Sequence, residues 1–216
     1  WHFTAEMFTL GGDVAKKDGD TWKADFNNDK GRQVLQQLKD MRWTDDSMGS
    51  KQLLEWADLL NMMGSGKLGM YVATADNIPT IVNQYKGKFE TYGLGPIPDG
   101  KGTLGGGEGY MFKAGLPPDK IVAGLKWLTF WFTSPDKIAE ENKWASETDQ
   151  PVGLPEPAIY TGAAAETQAA ADKQYANVPQ ENYAPFVAGM GKIPVKLEPP
   201  NAQQIYAVLD VAMQKV

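Results

Sequence analysis

The sequence predicts an α/β fold, and three observations carry that expectation. Amphipathic segments with apolar residues at helical spacing recur along the chain, short apolar runs of strand length follow several of them, and glycine and proline clusters punctuate the joins. The stretch "TLGGGEGYMFK" at 103–113 poses the sharpest local question, because three glycines, Glu108 and a fourth glycine precede a strand-like Tyr110-Met111-Phe112. Each glycine in regular structure costs roughly 0.5–1 kcal/mol against alanine. The run therefore needs a compensating role, either a turn at positive φ or the close approach of another group.

Taken in order, "FNNDKGRQVLQQLKDM" offers Asn28 or Asp29 as a helix cap and sets Val34, Leu35, Leu38 and Met41 on one helical face. The segment "KQLLEWADLLNMMGSGK" repeats the pattern with Leu53, Leu54, Trp56, Ala57, Leu60 and Met63, and Gly64 ends it. "LGMYVA" reads as a short buried strand, and "DNIPTIVNQYK" as a helix in which Pro79 is early enough to be tolerated. "KFETYGLGPIP" and "GEGYMFK" read as strands on either side of a Pro/Gly turn. "PPDKIVAGLKWLTFWFTSPDKIAEENKWAS" predicts two helices split at Ser134-Pro135, the first apolar around most of its circumference and therefore buried. The Ala-rich "TGAAAETQAAADKQYA" has ordinary helix composition, and the tail predicts a final helix with Ile205, Val208, Leu209 and Ala212 on one face. Trp56, Trp127, Trp131 and Phe132 lie at helical core spacing and are expected to pack inside.

Composition narrows the function classes. At 216 residues and 42% hydrophobic content the chain can bury a real core, as one large domain or two small ones. Its net charge of −6, from 21 basic and 27 acidic side chains, supplies no basic stripe for phosphate, so nucleic acid is not expected as a partner. With no cysteine and one histidine, disulfides, thiolate chemistry and a His/Cys zinc site are excluded, and no cofactor or metal is expected. No apolar run reaches the length of a membrane span. The chain begins at Trp1 and reads as a processed product or a fragment.

Catalytic signatures mostly fail. "GSGK" at 64–67 lacks the first glycine of a phosphate loop, since position 61 is Asn, and Leu68 stands where a Ser or Thr would bind magnesium. "GGGEG" at 105–109 lacks the dinucleotide-binding spacing and opens no helix. A serine–histidine pair would have to use His2, and no GxSxG elbow exists. Carboxylates are plentiful, Asp76, Glu108 and Glu147 among them, and spacing alone leaves a glycosidase pair open.

The order of the segments carries more than any one of them. The progression "FTLGGD", "GSGKLGMYVATADNIP", "YGLGPIPDGKGTLGGGEGYMF", "AGLKWLTFWFTSPDKIAEENK" and "QPVGLP" resembles the carboxy-terminal part of the extracellular solute-binding proteins of ABC transporters, family 1, relatives of the maltodextrin-binding protein. The resemblance implies a periplasmic-binding-protein-like two-lobed α/β fold that closes on a sugar or other small solute. Most of the carboxy-terminal lobe and part of the amino-terminal lobe would lie in this chain. Residues 1–95 would form the first part of the carboxy-terminal lobe, 96–150 a segment returning to the amino-terminal lobe, and 151–216 the second part of the carboxy-terminal lobe. A complete member is nearly twice this long, so the missing amino-terminal part of the same protein becomes an expected partner, beside the ABC transporter permease subunits. The implied location is extracellular, as a membrane-anchored lipoprotein or a periplasmic protein.

The same resemblance supplies candidate ligand-binding residues. Trp1 and His2 match the stretch that enters the second lobe beside the ligand, or else form a frayed end. Asp76 stands where relatives carry an aromatic sugar platform, with Asn77 beside it; Asp76 is either a ligand clamp or a helix cap. Gly106, Gly107 and Glu108 match a cleft-facing turn after a crossover, the alternative being a solvated hairpin. Tyr206 matches a region that lines the cleft, or packs at the start of the last helix. The expected activity is capture of a saccharide without covalent chemistry. The rival readings are a carbohydrate-active hydrolase using paired carboxylates, a binder of some non-sugar solute, and an interaction fragment with no ligand.

Overall fold

A computed structural model of the chain describes residues 1–49, 54–98, 100–107, 109–156 and 160–216. It is a mixed α/β protein, rich in helix, with small two-stranded sheets. The chain divides into two compact units, the first made of Trp1–Leu59, Pro96–Gly107 and Gly189–Val216, the second of Leu60–Gly95 and Glu108–Ala188.

The first unit is built on α1 (His2–Thr9), whose Phe3, Thr4, Ala5, Met7 and Phe8 are all buried. An octapeptide with so little polar surface shows no amphipathic period, so sequence patterning missed this helix. The next element, β1 (Ala15–Asp18), pairs antiparallel with β2 (Thr21–Ala24) through a two-residue turn in which Gly19 takes φ +60°. Gly19-Asp20 between two short strands is the local signal for such a hairpin. Helix α2 (Asp29–Trp43) starts where the sequence predicted, since the Asn28 side chain accepts hydrogen bonds from the Lys30 and Gly31 amides at 2.9 and 3.2 Å. Val34 is buried and Leu35 half-buried on its inner face. Helix α3 (Trp56–Gly64), which begins in this unit and continues into the second from Leu60, starts after Leu54 and ends at the predicted glycine, while Leu53 lies outside the described residues. The last helix, α9 (Ala202–Met213), buries Ala202, Tyr206 and Leu209. Val208 is exposed, so the inner face is rotated from the predicted one toward 202, 206 and 209. Phe3, Met7, Val14, Val34, Ala202, Tyr206 and Leu209 form the core of this unit.

The glycine stretch finds part of its role here. Thr103–Leu104 forms β3, which pairs in parallel with β4 (Val195–Lys196). A Cβ on Gly105 would meet Val195 Cγ1 at 2.1 Å, and one on Gly102 would meet the Phe8 carbonyl oxygen at 2.9 Å. These two glycines let the strand lie against β4 and α1. Gly106 and Gly107 have nothing within 4 Å of that position, so packing does not require them. Glu108 lies outside the described residues.

In the second unit α4 (Asn77–Tyr85) follows an irregular 68–73 segment, and a 3-10 turn spans Phe89–Thr91. Ile78, Phe89, Val178 and Tyr183 make the core of this unit, with Val82, Tyr92, Leu94 and Leu154 against it. Asn182 substitutes for a strand partner: its backbone oxygen accepts from the Leu94 amide at 3.2 Å and its side-chain amide donates to the Tyr92 carbonyl at 3.0 Å. Asn177 does the same for 150–152, accepting from the Val152 amide and donating to the Gln150 carbonyl, both at 2.8 Å. Helix α5 (Pro118–Thr133) and α6 (Pro135–Glu147) split at Ser134 as predicted, and the Ser134 hydroxyl accepts from the Lys137 amide at 3.4 Å. The Ala-rich stretch is α7 (Ala163–Tyr175), and the short α8 (Ala184–Gly189) follows.

Three sequence expectations are corrected. "LGMYVA", "KFETYGLGPIP" and the described part of "GEGYMFK" are not strands: none of them finds a neighbouring strand, and without a ladder an apolar run has no reason to stay extended. Helix α5 is not buried, for none of its residues is classed as such, and it carries its Trp and Phe side chains outward. Trp56, Trp127 and Trp131, expected in the core, are exposed, while Phe132 is half-buried.

Candidate functional site

Each unit holds one group of predicted site residues. In the second unit the irregular 68–73 segment enters a turn at Ala75-Asp76, closed by the Asn77 amide donating to the Thr74 carbonyl at 3.1 Å. Asp76 takes the cap position of α4 with helical dihedrals of −64° and −11°, and its side chain makes no capping bond. A capping residue needs extended dihedrals to swing its oxygen over the first amides, and Asp76 lacks them. Its carboxylate instead stays at the surface and accepts from the Asn77 side-chain amide at 3.2 Å.

Asn77 is buried and holds the cluster together. Its amide nitrogen also donates to the Thr74 hydroxyl at 2.7 Å, and its oxygen accepts from the Tyr71 phenol at 3.2 Å. Burial, then the Asp76 carboxylate, then Tyr92 push the Tyr71 phenol up to about 12. Tyr71 therefore stays a protonated donor at any physiological pH.

Glu156 lies within electrostatic reach of Asp76, and Asp172 within reach of Glu156. Glu156 is exposed, yet the protein packed around it raises its carboxyl above the usual range, and the charges of Asp172 and Asp76 raise it further. Asp172 is fixed by side-chain amides, accepting from Asn142 at 2.9 Å and Gln168 at 2.8 Å. Tyr160 is raised by burial first, then by Glu156 and Glu141. The arrangement offers carboxylate and phenol oxygens that can accept from the hydroxyls of a hydroxyl-rich molecule. Tyr71, Glu156, Tyr160 and Asp172 were missed from sequence; the available signal was only that Glu156 directly follows "QPVGLP".

The first unit brings together Trp1, His2 and Tyr206. The Trp1 and His2 rings lie 4.3 Å apart. The Tyr206 phenol is buried and donates to Glu198 Oε1 at 2.5 Å. It is held well above the usual phenol range by burial first, then by that carboxylate, while the Thr4 hydroxyl beside it acts the other way. That hydroxyl faces the phenol without making a hydrogen bond of regular geometry. The Trp1 amino group also feels Glu198 and Asp210, but burial outweighs them and lowers it. Beside Glu198 an open, shallow depression of about 640 Å³ runs over Pro199 to Gln204. Tyr206 thus binds α9 to the 198 loop, and its packing role is in plain view. Gly106 and Gly107 belong to this unit as well, and Asp76 with Asn77 to the other.

Among the described residues no group of three or more His, Cys, Asp or Glu side chains is arranged to hold a metal ion, and no helix is long and apolar enough to cross a membrane. Comparison with protein-family models, with curated proteins and with solved structures returns no match.

Proposed function

We propose that the chain is part of a solute-binding protein that captures a sugar or oligosaccharide outside the cytoplasm and delivers it to an ABC importer. The observation that carries the reading is Asp76. Its carboxylate is released from helix capping, stays exposed, and stands beside the Tyr71 phenol and within electrostatic reach of Glu156. Such a cluster matches a polyol, whose hydroxyls donate to the carboxylates and to the Tyr71 phenol oxygen, the phenol's own proton being committed to Asn77. The two-lobed fold, with 1–95 and 151–216 in one lobe and 96–150 in the other, belongs to this proposal, as do Trp1, His2, Asn77, Gly106, Gly107, Glu108 and Tyr206 as further ligand contacts. So do the permease subunits and the amino-terminal part of the same protein as partners.

A second reading rests on Glu156. A carboxyl raised by burial beside ionisable neighbours is also the electrostatic arrangement of a glycosidase acid, with Asp76 or Asp172 as its counterpart. Incubation with a panel of oligosaccharides, followed by mass spectrometry of the recovered sugar, separates the two. Binding with the sugar recovered intact supports capture; shortened products support hydrolysis; neither binding nor cleavage of any saccharide contradicts both.

A further inference from the structure

Three lysines from distant parts of the sequence converge on the turn that ends α1 in the first unit. Lys30 Nζ donates to the Leu10 carbonyl, and Lys196 Nζ donates to the Gly12 carbonyl at 3.1 Å and to Asp13 Oδ1 at 2.8 Å. Lys101 is brought in by its backbone, whose amide donates to the Thr9 carbonyl at 3.1 Å. Gly11, at φ +74°, is where the first and third of them meet. A Cβ there would lie 3.3 Å from Lys30 Nζ and 3.2 Å from Lys101 Cδ, so a larger residue would press on both side chains. The Phe8 ring, with its centre 5.1 Å from Lys196 Nζ, holds the remaining lysine from below.

Local charge decides what the cluster is for. Lysines at the end of a helix satisfy its last carbonyls and its dipole, but that dipole amounts to only about −0.5 of a charge. Asp13 supplies one full negative charge, and Asp29, next to Lys30 in sequence, is taken by Arg32 at 2.6 Å. The ammonium groups therefore exceed the negative charge around them by roughly +1.5, more than capping α1 requires. Their donors are in surplus too. An ammonium carries three N–H groups, and the turn uses one of Lys30 and two of Lys196. Lys101 is exposed, and its ammonium takes no hydrogen-bond or ion-pair partner among the described residues. Two half-buried lysines are thus fixed in place while a third stands free to close over whatever they hold.

We propose that this turn binds a phosphate group between Lys101 and the remaining donors of Lys30 and Lys196. Cations arriving from separate segments suit an oxyanion with several free oxygens and a charge of about −1.5 to −2, which a carboxylate does not offer. The inference is independent of the saccharide reading, which rests on the second unit. Calorimetric titration of the chain with inorganic phosphate and with glucose 6-phosphate, at constant ionic strength, tests it on wild type, Lys101→Gln, Lys196→Gln and, as a control on α6, Lys143→Gln. The expected result is saturable binding at millimolar phosphate, weakened at least ~5-fold in the 101 and 196 variants and unchanged in the 143 variant. Tighter binding of the ester makes a phosphorylated sugar the ligand, and equal binding makes it the free ion. Circular dichroism will report whether each variant keeps its helix content, and Lys101→Gln should, because its ammonium bonds nothing among the described residues. No saturable binding of either probe up to ~20 mM overturns the proposal. So does binding that a well-folded Lys101→Gln leaves at wild-type strength, since the anion would then sit elsewhere.

Discussion

Replacing Asn77 by alanine tests whether the cluster at the start of α4 is held as one piece. The residue is 6% exposed, and its side chain hydrogen-bonds with Tyr71 at 3.2 Å, Thr74 at 2.7 Å and Asp76 at 3.2 Å. A neutral bond contributes a net ~0.5–1.5 kcal/mol, and one to a charged group ~1.5–3 kcal/mol. Thr74 and Asp76 are exposed, so water replaces much of what they lose, whereas the half-buried Tyr71 phenol is left poorly solvated. The expected destabilisation is therefore about 2–3 kcal/mol, below the simple total of the three bonds. Urea unfolding followed by tryptophan fluorescence reads it as a midpoint lowered by roughly 1–2 M at a typical slope. A loss under ~0.5 kcal/mol would show that the bonds are not coupled to folding and refute the reasoning.

Other outcomes follow from the same geometry. Gly31→Ala should destabilise the first unit, although alanine is the better helix former by ~1 kcal/mol: its Cβ would lie 1.9 Å from the Phe26 carbonyl oxygen, and a gain in thermal midpoint would contradict the contact. The Tyr71 and Tyr183 phenols are pushed up to about 12, chiefly by burial, whereas unfolded phenols ionise near pH 10. Their stabilisation is complete below about pH 10 and is lost as pH rises through about 12. The urea midpoint should fall across that window, and less steeply in Tyr183→Phe; an equal slope in the variant would refute the assignment. Burial likewise raises the Glu6 carboxyl, so its contribution is lost above the usual carboxylate range. Glu6→Gln should be more stable than wild type at pH 7 and not at pH 4, as thermal scans at the two values will report.

The helices were legible where one face is polar and a cap or breaker marks an end. Asn28, Gly64 and the Ser134-Pro135 join did what their chemistry dictates. Strands were not legible, because an apolar run such as 68–73 becomes a strand only when a partner lies alongside, and pairing is not a local property. Burial failed for α5 for the same reason: a helix apolar all round reports that it should be covered, not that anything in this chain covers it. Helix α1 escaped for the opposite reason, being too short and too apolar to show a period. In the site, Asp76 and Asn77 were reached through their place in the chain. Tyr71, Glu156, Tyr160 and Asp172 were not, because the charges that couple Glu156 to Asp76 and Asp172 come together from separate stretches of sequence.

The central claim is that Asp76 contacts a captured saccharide, and calorimetric titration of wild type and Asp76→Ala with the sugars that bind tests it most directly. Because the carboxylate does not cap α4, the variant should keep its fold and lose about 1–3 kcal/mol of binding free energy, roughly 5- to 150-fold in dissociation constant. A well-folded Asp76→Ala protein that binds the same sugar with wild-type affinity would contradict the account.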